Sequence, residues 1–135
     1  MSRTQELFES LNIKSGFGSE QIAAGVDTLL ECEEAVTACA AGMLSESNVA
    51  ALISAVAADL DCADVVAATR RVLSRHAGAD TSVLSAQLEA CLLACERSRQ
   101  LCGLHAGEHE HCRLCVQATE RCIDACRELL RAVHH

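Results

Sequence analysis

The residues of this sequence that could do chemistry are mainly its ten cysteines. Seven of them lie between Cys91 and Cys126, in two groups separated by a histidine-rich turn. Within the groups they recur at steps of three, four and seven residues, which place side chains on one face of an α-helix. The stretch therefore predicts two helices that each carry a stripe of thiols. With the three earlier cysteines, the predicted thiol ligands are Cys32, Cys39, Cys62, Cys91, Cys95, Cys102, Cys112, Cys115, Cys122 and Cys126.

The composition predicts the elements that must position these thiols. Half of the residues are apolar, only two are phenylalanine, and tyrosine, tryptophan and proline are absent. This is typical of a close-packed helical bundle, so we expect one all-α domain with an up-down-up-down four-helix bundle and a cysteine-lined core. A short N-terminal helix and loop over residues 1–18 should pack on the bundle, which spans residues 19–135. The helices are predicted at about 19–43, 48–76, 81–104 and 109–133.

The predicted topology brings the thiols of all four helices to one axis. Short connections make neighbouring helices antiparallel. Counted at about 1.5 Å per residue from the end that carries the 105–111 turn, cysteines of different helices fall at matched depths. The ten thiols should therefore line a single column.

A column of thiols favours Cu(I) over other metal ions. Thiolates without hard oxygen ligands select Cu(I), zinc or iron–sulfur clusters. Zinc with four thiolates would carry net negative charge into an apolar interior, and the spacing of an iron–sulfur run is absent. Bridging thiolates and Cu(I) can form nearly neutral clusters at about one ion per cysteine, hence on the order of ten ions per chain. A capacity of this size indicates copper storage.

Three histidines and one aspartate are candidates to complete the ligand set. His105 lies on the helical face of Cys102, His111 lies on that of Cys115, and His109 lies in the turn itself. Imidazole is a good copper ligand, so these histidines should line the end of the bundle through which ions pass. Asp61 is predicted at the edge of the thiol-bearing side of its helix, where it could cap a cluster or be solvated.

Other classes of function fit the sequence less well. The alternative reading is a thiol-based bundle that binds structural zinc or senses redox state by forming disulfides. A secreted disulfide scaffold is disfavoured because the cysteines lie in helical runs. A single Glu-x-x-His motif does not make a di-iron site, which needs two. No catalytic set is evident, so we do not expect an enzyme.

Charge and chain termini limit the partners. The net charge of −8 disfavours nucleic acid, and no apolar run is long enough to span a membrane. The first residues, MSRTQELFES, lack the apolar region of a secretory signal, which predicts a cytoplasmic protein. The helix over 48–76 is apolar on two sides, which predicts a homo-oligomer. Its Leu/Ile stripe, expected to face a second subunit, comprises Val49, Leu52, Ile53, Val56, Leu60, Ala63 and Ala67.

The sequence resembles the bacterial four-helix-bundle copper storage proteins over about residues 19–133. The resemblance is carried by HEHCRLCVQATERCIDAC, with ACLLACERSRQLC before it and LDCADV earlier. It implies a tetramer, the cytosolic branch of the family, and exchange of copper with a chaperone. It also implies that the ten cysteines bind Cu(I), with His105, His109 and His111 at the open end. Ser98 and Thr119 stand where richer members would have further thiols, which implies a smaller or differently clustered load.

Overall fold

The fold was analysed in a computed structural model, which describes residues 2–11, 17–76 and 80–133. The helices are α1 (Arg3–Ser10), α2 (Ser19–Leu44), α3 (Ile53–Ser74), α4 (Ser82–Gly103) and α5 (Glu110–Val133), and a 3-10 turn (Val49–Leu52) precedes α3. Residue 1, the part of the predicted N-terminal loop at 12–16, residues 77–79 of the predicted turn and the last two residues lie outside this description.

The four long helices form the predicted bundle. Helix α2 packs on α3, α3 on α4, α4 on α5, and α5 back on α2, so the four helices form a closed square around one core. No strand occurs in the described part of the chain. The all-α architecture with a cysteine-lined core is confirmed, because every one of the ten cysteines is buried in that core.

One end of the bundle is closed by leucines. Leu73 at the end of α3, Leu84 at the start of α4 and Leu129 near the end of α5 are almost fully buried there. Gly25 of α2 lets them pack closely, since a β-carbon at this position would lie 3.1 Å from Leu73 and 3.2 Å from Leu129. The opposite end, which we call the mouth, is formed by the end of α2, the loop after it, the 3-10 turn and the turn between α4 and α5.

Helix α3 faces the core with the predicted cysteine-bearing side, and the buried face extends further round the helix than predicted. Leu52 and Val56, expected to face a second subunit, are buried within the chain itself. Ile53 and Leu60 are 54% and 48% exposed, so the outer stripe is narrower than expected. Alanine and valine make up ten of the 22 residues of this helix and lie on several sides of it, so the apolar residues do not mark one side clearly.

The N-terminal helix lies against the bundle. Helix α1 packs on α2, and the hydroxyl of Thr4 donates a hydrogen bond to Asp27 Oδ1 at 3.0 Å. None of its residues is fully buried. Helix α1 therefore covers the outside of α2 and contributes nothing to the thiol column.

Candidate metal centre

The thiols nearest the mouth surround a buried carboxylate. We call Cys39, Cys102, Cys112 and Cys115 the upper thiol group. The ligand atoms of Cys39, Cys102, Cys115 and Asp59 all lie within 4.8 Å of one another. The sulfurs of Cys102 and Cys115 are 3.7 Å apart, and those of Cys39 and Cys112 are 3.9 Å apart. Helices α2, α3, α4 and α5 all contribute to this set, so one metal cluster here could be held by the whole bundle.

Asp59 was missed at the sequence level and is the charged centre of the upper thiol group. Its Oδ1 accepts hydrogen bonds from the Ser98 hydroxyl at 2.6 Å and from the thiols of Cys102 at 3.2 Å and Cys115 at 3.6 Å. Its Oδ2 is buried and has no hydrogen-bond partner in the described structure. Burial, with a smaller contribution from the charge of Cys115, raises the pKa of Asp59 to about 7. A buried oxygen without a proton donor is available to a metal ion.

The structure does not bring the predicted Asp61 to the thiols. Asp61 is exposed and lines a surface groove between α3 and α4. The interior face of α3 is defined by Cys62 and by the residue three positions before it, Asp59, at the same spacing that joins Cys112 to Cys115. That spacing could have identified Asp59, whereas Asp61 lies about 100° away from Cys62 on the helix.

The deeper thiols form a second group. We call Cys32, Cys62, Cys91, Cys95, Cys122 and Cys126 the lower thiol group. The sulfur of Cys95 lies 3.9 Å from that of Cys32 and 3.8 Å from that of Cys62. Cys122 belongs to two converging sets of thiols, one with Cys32 and Cys95 and one with Cys91 and Cys126. Adjacent metal ions in the lower group could therefore share a thiolate.

Contact between thiols lowers the pKa of some of them and raises the pKa of their neighbours. Hydrogen bonds from Cys102 and Cys39 lower the pKa of Cys115, while the contact with Cys115 raises the pKa of Cys102. Hydrogen bonds from Cys122, Cys126 and Cys95 likewise lower the pKa of Cys91. All ten cysteines are free thiols. Each group thus favours thiolates stabilised by neighbouring S–H donors, and a thiolate is the form that binds a soft metal ion.

His111 connects the upper thiol group to the mouth. Its Nδ1 lies 3.5 Å from the sulfur of Cys39 and 3.6 Å from that of Cys112. The other ring nitrogen, Nε2, faces outward and lies 3.1 Å from Glu46 Oε1. His109 stacks on His111 with its ring centroid 5.2 Å away and the two planes 7° apart. Burial raises the pKa of the Cys112 thiol, so an ion arriving there must displace its proton.

The remaining mouth residues lie further from the thiols. His105 lies in the turn after α4, and its Nδ1 is 3.9 Å from Glu108. It belongs to none of the sets of three or more converging metal-binding groups found among the described residues. Met43 is fully buried at the end of α2, where its thioether fills the core beside the mouth. Of the three predicted histidines, the structure therefore brings His111 alone to the thiols.

Comparison with known proteins places this site in a family. The family model for copper storage proteins matches residues 18–131. A structure of the copper storage protein Ccsp from Streptomyces lividans, loaded with 10 copper equivalents, is 42% identical, covers 96% of this chain and 98% of that chain, and superimposes with a TM-score of 0.91. A structure of a cytosolic copper storage protein from the same organism, with five coppers, is 47% identical over 83% of this chain and 93% of that chain, with a TM-score of 0.80. Among curated proteins, no relative matches the chain.

A further solved structure is a variant of the same Streptomyces lividans protein. A double histidine-to-alanine variant of the Streptomyces lividans protein is 44% identical, covers 87% of this chain and 99% of that chain, and has a TM-score of 0.83. Within the described residues, no helix has the length and apolar run that a membrane span needs. The chain belongs to the copper storage protein family, whose model matches nearly its whole length.

Proposed function

We propose that this chain stores Cu(I) in the cytosol, and that its thiol column holds the ions as copper–thiolate clusters. The observation that carries this function is the set of ten buried, free thiols, which converge in two groups without a disulfide. Cu(I) is soft, accepts two or three ligands and can share bridging thiolates. At about one ion per thiol the capacity is on the order of ten ions per chain. The role is storage, because ten converging thiols exceed what a single catalytic metal site needs.

The proposed ligands extend beyond the thiols. Asp59 completes the upper thiol group, since its unpartnered Oδ2 can bind an ion that the thiols bridge. His111 is the ligand between the upper group and the mouth, and His109 and His105 are the outer histidines through which ions arrive and leave. Asp61 points away from the thiols on α3, so it would reach an ion in the column only if α3 rotated about its axis.

Assembly and exchange are also part of the proposal. The exposed Ile53 and Leu60 on α3 support a homo-oligomer, a tetramer in the family that the sequence resembles. Copper should be delivered and withdrawn at the mouth by a copper chaperone, because His111, which contacts the thiols, lies there.

Anaerobic titration of the reduced protein with Cu(I), against a competing chelator, tests storage. We expect on the order of ten tightly bound ions per chain, in line with the thiol count. Zn²⁺ should displace few of them, because soft thiolate clusters favour Cu(I). Saturation at one or two ions would contradict storage and favour a structural metal site.

The role of the mouth is tested by loading kinetics. His111→Ala should slow Cu(I) uptake several-fold in stopped-flow mixing, because it removes the only described imidazole in contact with the thiols. His76→Ala is a suitable control, since His76 packs against Phe17 near the closed end of the bundle. Equal uptake rates in the two variants would contradict passage at the mouth.

A further inference from the structure

The mouth contains a second set of metal-binding groups that includes no sulfur. Glu46 lies in the loop after α2, His109 lies just before α5, and His111 lies in the first turn of α5. Their ligand atoms all lie within 4.8 Å of one another. Glu46 Oε1 is 3.1 Å from His111 Nε2 and 3.4 Å from His109 Nδ1, so both imidazoles converge on one carboxylate. Three donors from two separate segments of the chain therefore point at one position.

The set is held in place by its surroundings. The ring of His111 lies against the backbone of α2 at Gly42, where an added β-carbon would be 3.0 to 3.3 Å from three ring atoms. The ring of His109 is stacked on that of His111. The side chains of His109, His111 and Glu46 are 14%, 28% and 33% exposed, so they are reachable from solvent but confined. Confinement of this kind reduces the ordering that a bound ion would require.

The donor chemistry differs from that of the column. Two imidazoles and one carboxylate suit divalent ions such as Zn²⁺, Co²⁺ and Cu²⁺, whereas soft Cu(I) prefers the thiolates beyond the ring. Glu108 adds negative charge beside the set, with Oε2 3.9 Å from His109 Nε2. A carboxylate-rich rim attracts dications more strongly than monovalent Cu(I).

We infer that Glu46, His109 and His111 form a divalent-cation site, distinct from the Cu(I) column, for an ion of the Zn²⁺ class. The site itself does not depend on copper storage. Its consequence for transport rests on the proposed function: an ion on His111 Nε2 lies on the outer side of the same ring whose Nδ1 faces Cys39 and Cys112. A bound divalent ion would then obstruct the passage of Cu(I) through the mouth.

Co²⁺ is the appropriate probe because its spectrum distinguishes the two kinds of ligand. Thiolate ligation gives an intense near-ultraviolet charge-transfer band, whereas nitrogen and oxygen ligation gives only weak visible bands. Reduced, copper-free protein should bind its first equivalent of Co²⁺ with visible bands alone. Glu46→Gln should weaken that binding about tenfold or more, since it replaces a charged ligand with a neutral amide. Glu110→Gln, the same change at a neighbouring carboxylate paired with Arg113, should leave it unchanged.

Two outcomes would overturn the inference: a first equivalent that binds with the thiolate band, or equal Co²⁺ affinity in the Glu46→Gln and Glu110→Gln variants. The Cu(I) capacity of the same variants separates this result from the proposed function. An unchanged capacity with no Co²⁺ site rejects the divalent site alone, whereas a capacity of one or two ions rejects storage. For transport, one equivalent of Zn²⁺ should slow Cu(I) uptake in the unaltered protein and not in Glu46→Gln, and equal slowing in both would reject the obstruction.

Discussion

A carboxylate buried among thiols changes how much charge the upper thiol group can hold. Burial raises the pKa of Asp59 to about 7 and outweighs the hydrogen bonds on Oδ1, which favour the ionised form, so in the copper-free protein the protonated form is stabilised. When ions enter the group, the carboxylate can lose its proton and add one negative charge to the cluster. Asp59 thus supplies a charge that the thiols would otherwise have to provide.

Asp59→Asn should flatten the pH dependence of stability in the copper-free, reduced protein. The folded-state pKa of about 7 lies above the ordinary value of 3.8, so between these values the folded chain retains a proton that the unfolded chain has lost. The free energy of unfolding contributed by Asp59 is therefore greatest below about pH 4 and falls as the pH rises to about 7, by up to about 4 kcal/mol. Urea denaturation at pH 4.5 and 7.5 measures this change, as approximate ends of that window.

Asp61→Asn is the matched control, because Asp61 is on the same helix and exposed. It should keep the decline in stability between the two pH values. An equal decline in both variants would show that Asp59 does not carry the effect.

Gly42→Ala should disturb the ligand that joins the thiols to the mouth. The added methyl group would lie within 3.3 Å of three atoms of the His111 ring, which must then move away from α2. We expect slower Cu(I) uptake with the same final capacity, measured by stopped-flow mixing and by titration. Gly103→Ala serves as the control, because a β-carbon there meets nothing within 4 Å. Equal uptake rates in the two variants would argue against the contact.

At the scale of the helices, the thiol stripes were predictable and the carboxylates Asp59 and Glu46 were not. Cysteines spaced three, four and seven residues apart lie on one face of an α-helix, whatever residues surround them. On α3, Cys62 is the single cysteine that indicates the inward face, and the alanines and valines around it do not define that face further. The predicted inward face was therefore rotated about the helix axis, towards Asp61 and away from Asp59. Glu46 could not have been predicted as a partner of His111, because it lies in a loop whose position depends on how α2 and α5 pack.

Ser98→Cys should add one ligand to the stripe of α4. Ser98 is fully buried, and its hydroxyl lies 3.8 Å from the sulfur of Cys115 and 2.6 Å from Asp59. A thiol there would extend the upper thiol group, and we expect the Cu(I) capacity to rise by about one ion per chain, at about one ion per thiol. Ser82→Cys, at the exposed start of α4, should not add a tightly held ion. A chelator-buffered titration compares them, and an equal capacity would contradict the role of position 98.

At the scale of the whole molecule, we propose that the outer face of α3 forms the contact between subunits. Ile53→Asp together with Leu60→Asp should shift the protein from oligomer to monomer in light scattering, because both side chains are about half exposed in the isolated chain. Val83→Asp, an equally polar change on exposed α4, should not. Copper capacity per chain should stay constant, since both exposed side chains lie outside the core. An oligomer that survives the double change would place the interface elsewhere.

The leucines that pack around Gly25 at the closed end affect the order in which copper ions are bound and released. Because Leu73, Leu84 and Leu129 are buried at that end, we expect ions to leave by the mouth through which they entered. In a bundle open at one end, the last ion bound would be the first released. The ions bound first would lie beside Cys91 and Cys126. A pulse of one copper isotope followed by a chase with another would then reappear in reverse sequence when a chelator withdraws the metal. The molecule would keep a record of the order in which it was filled.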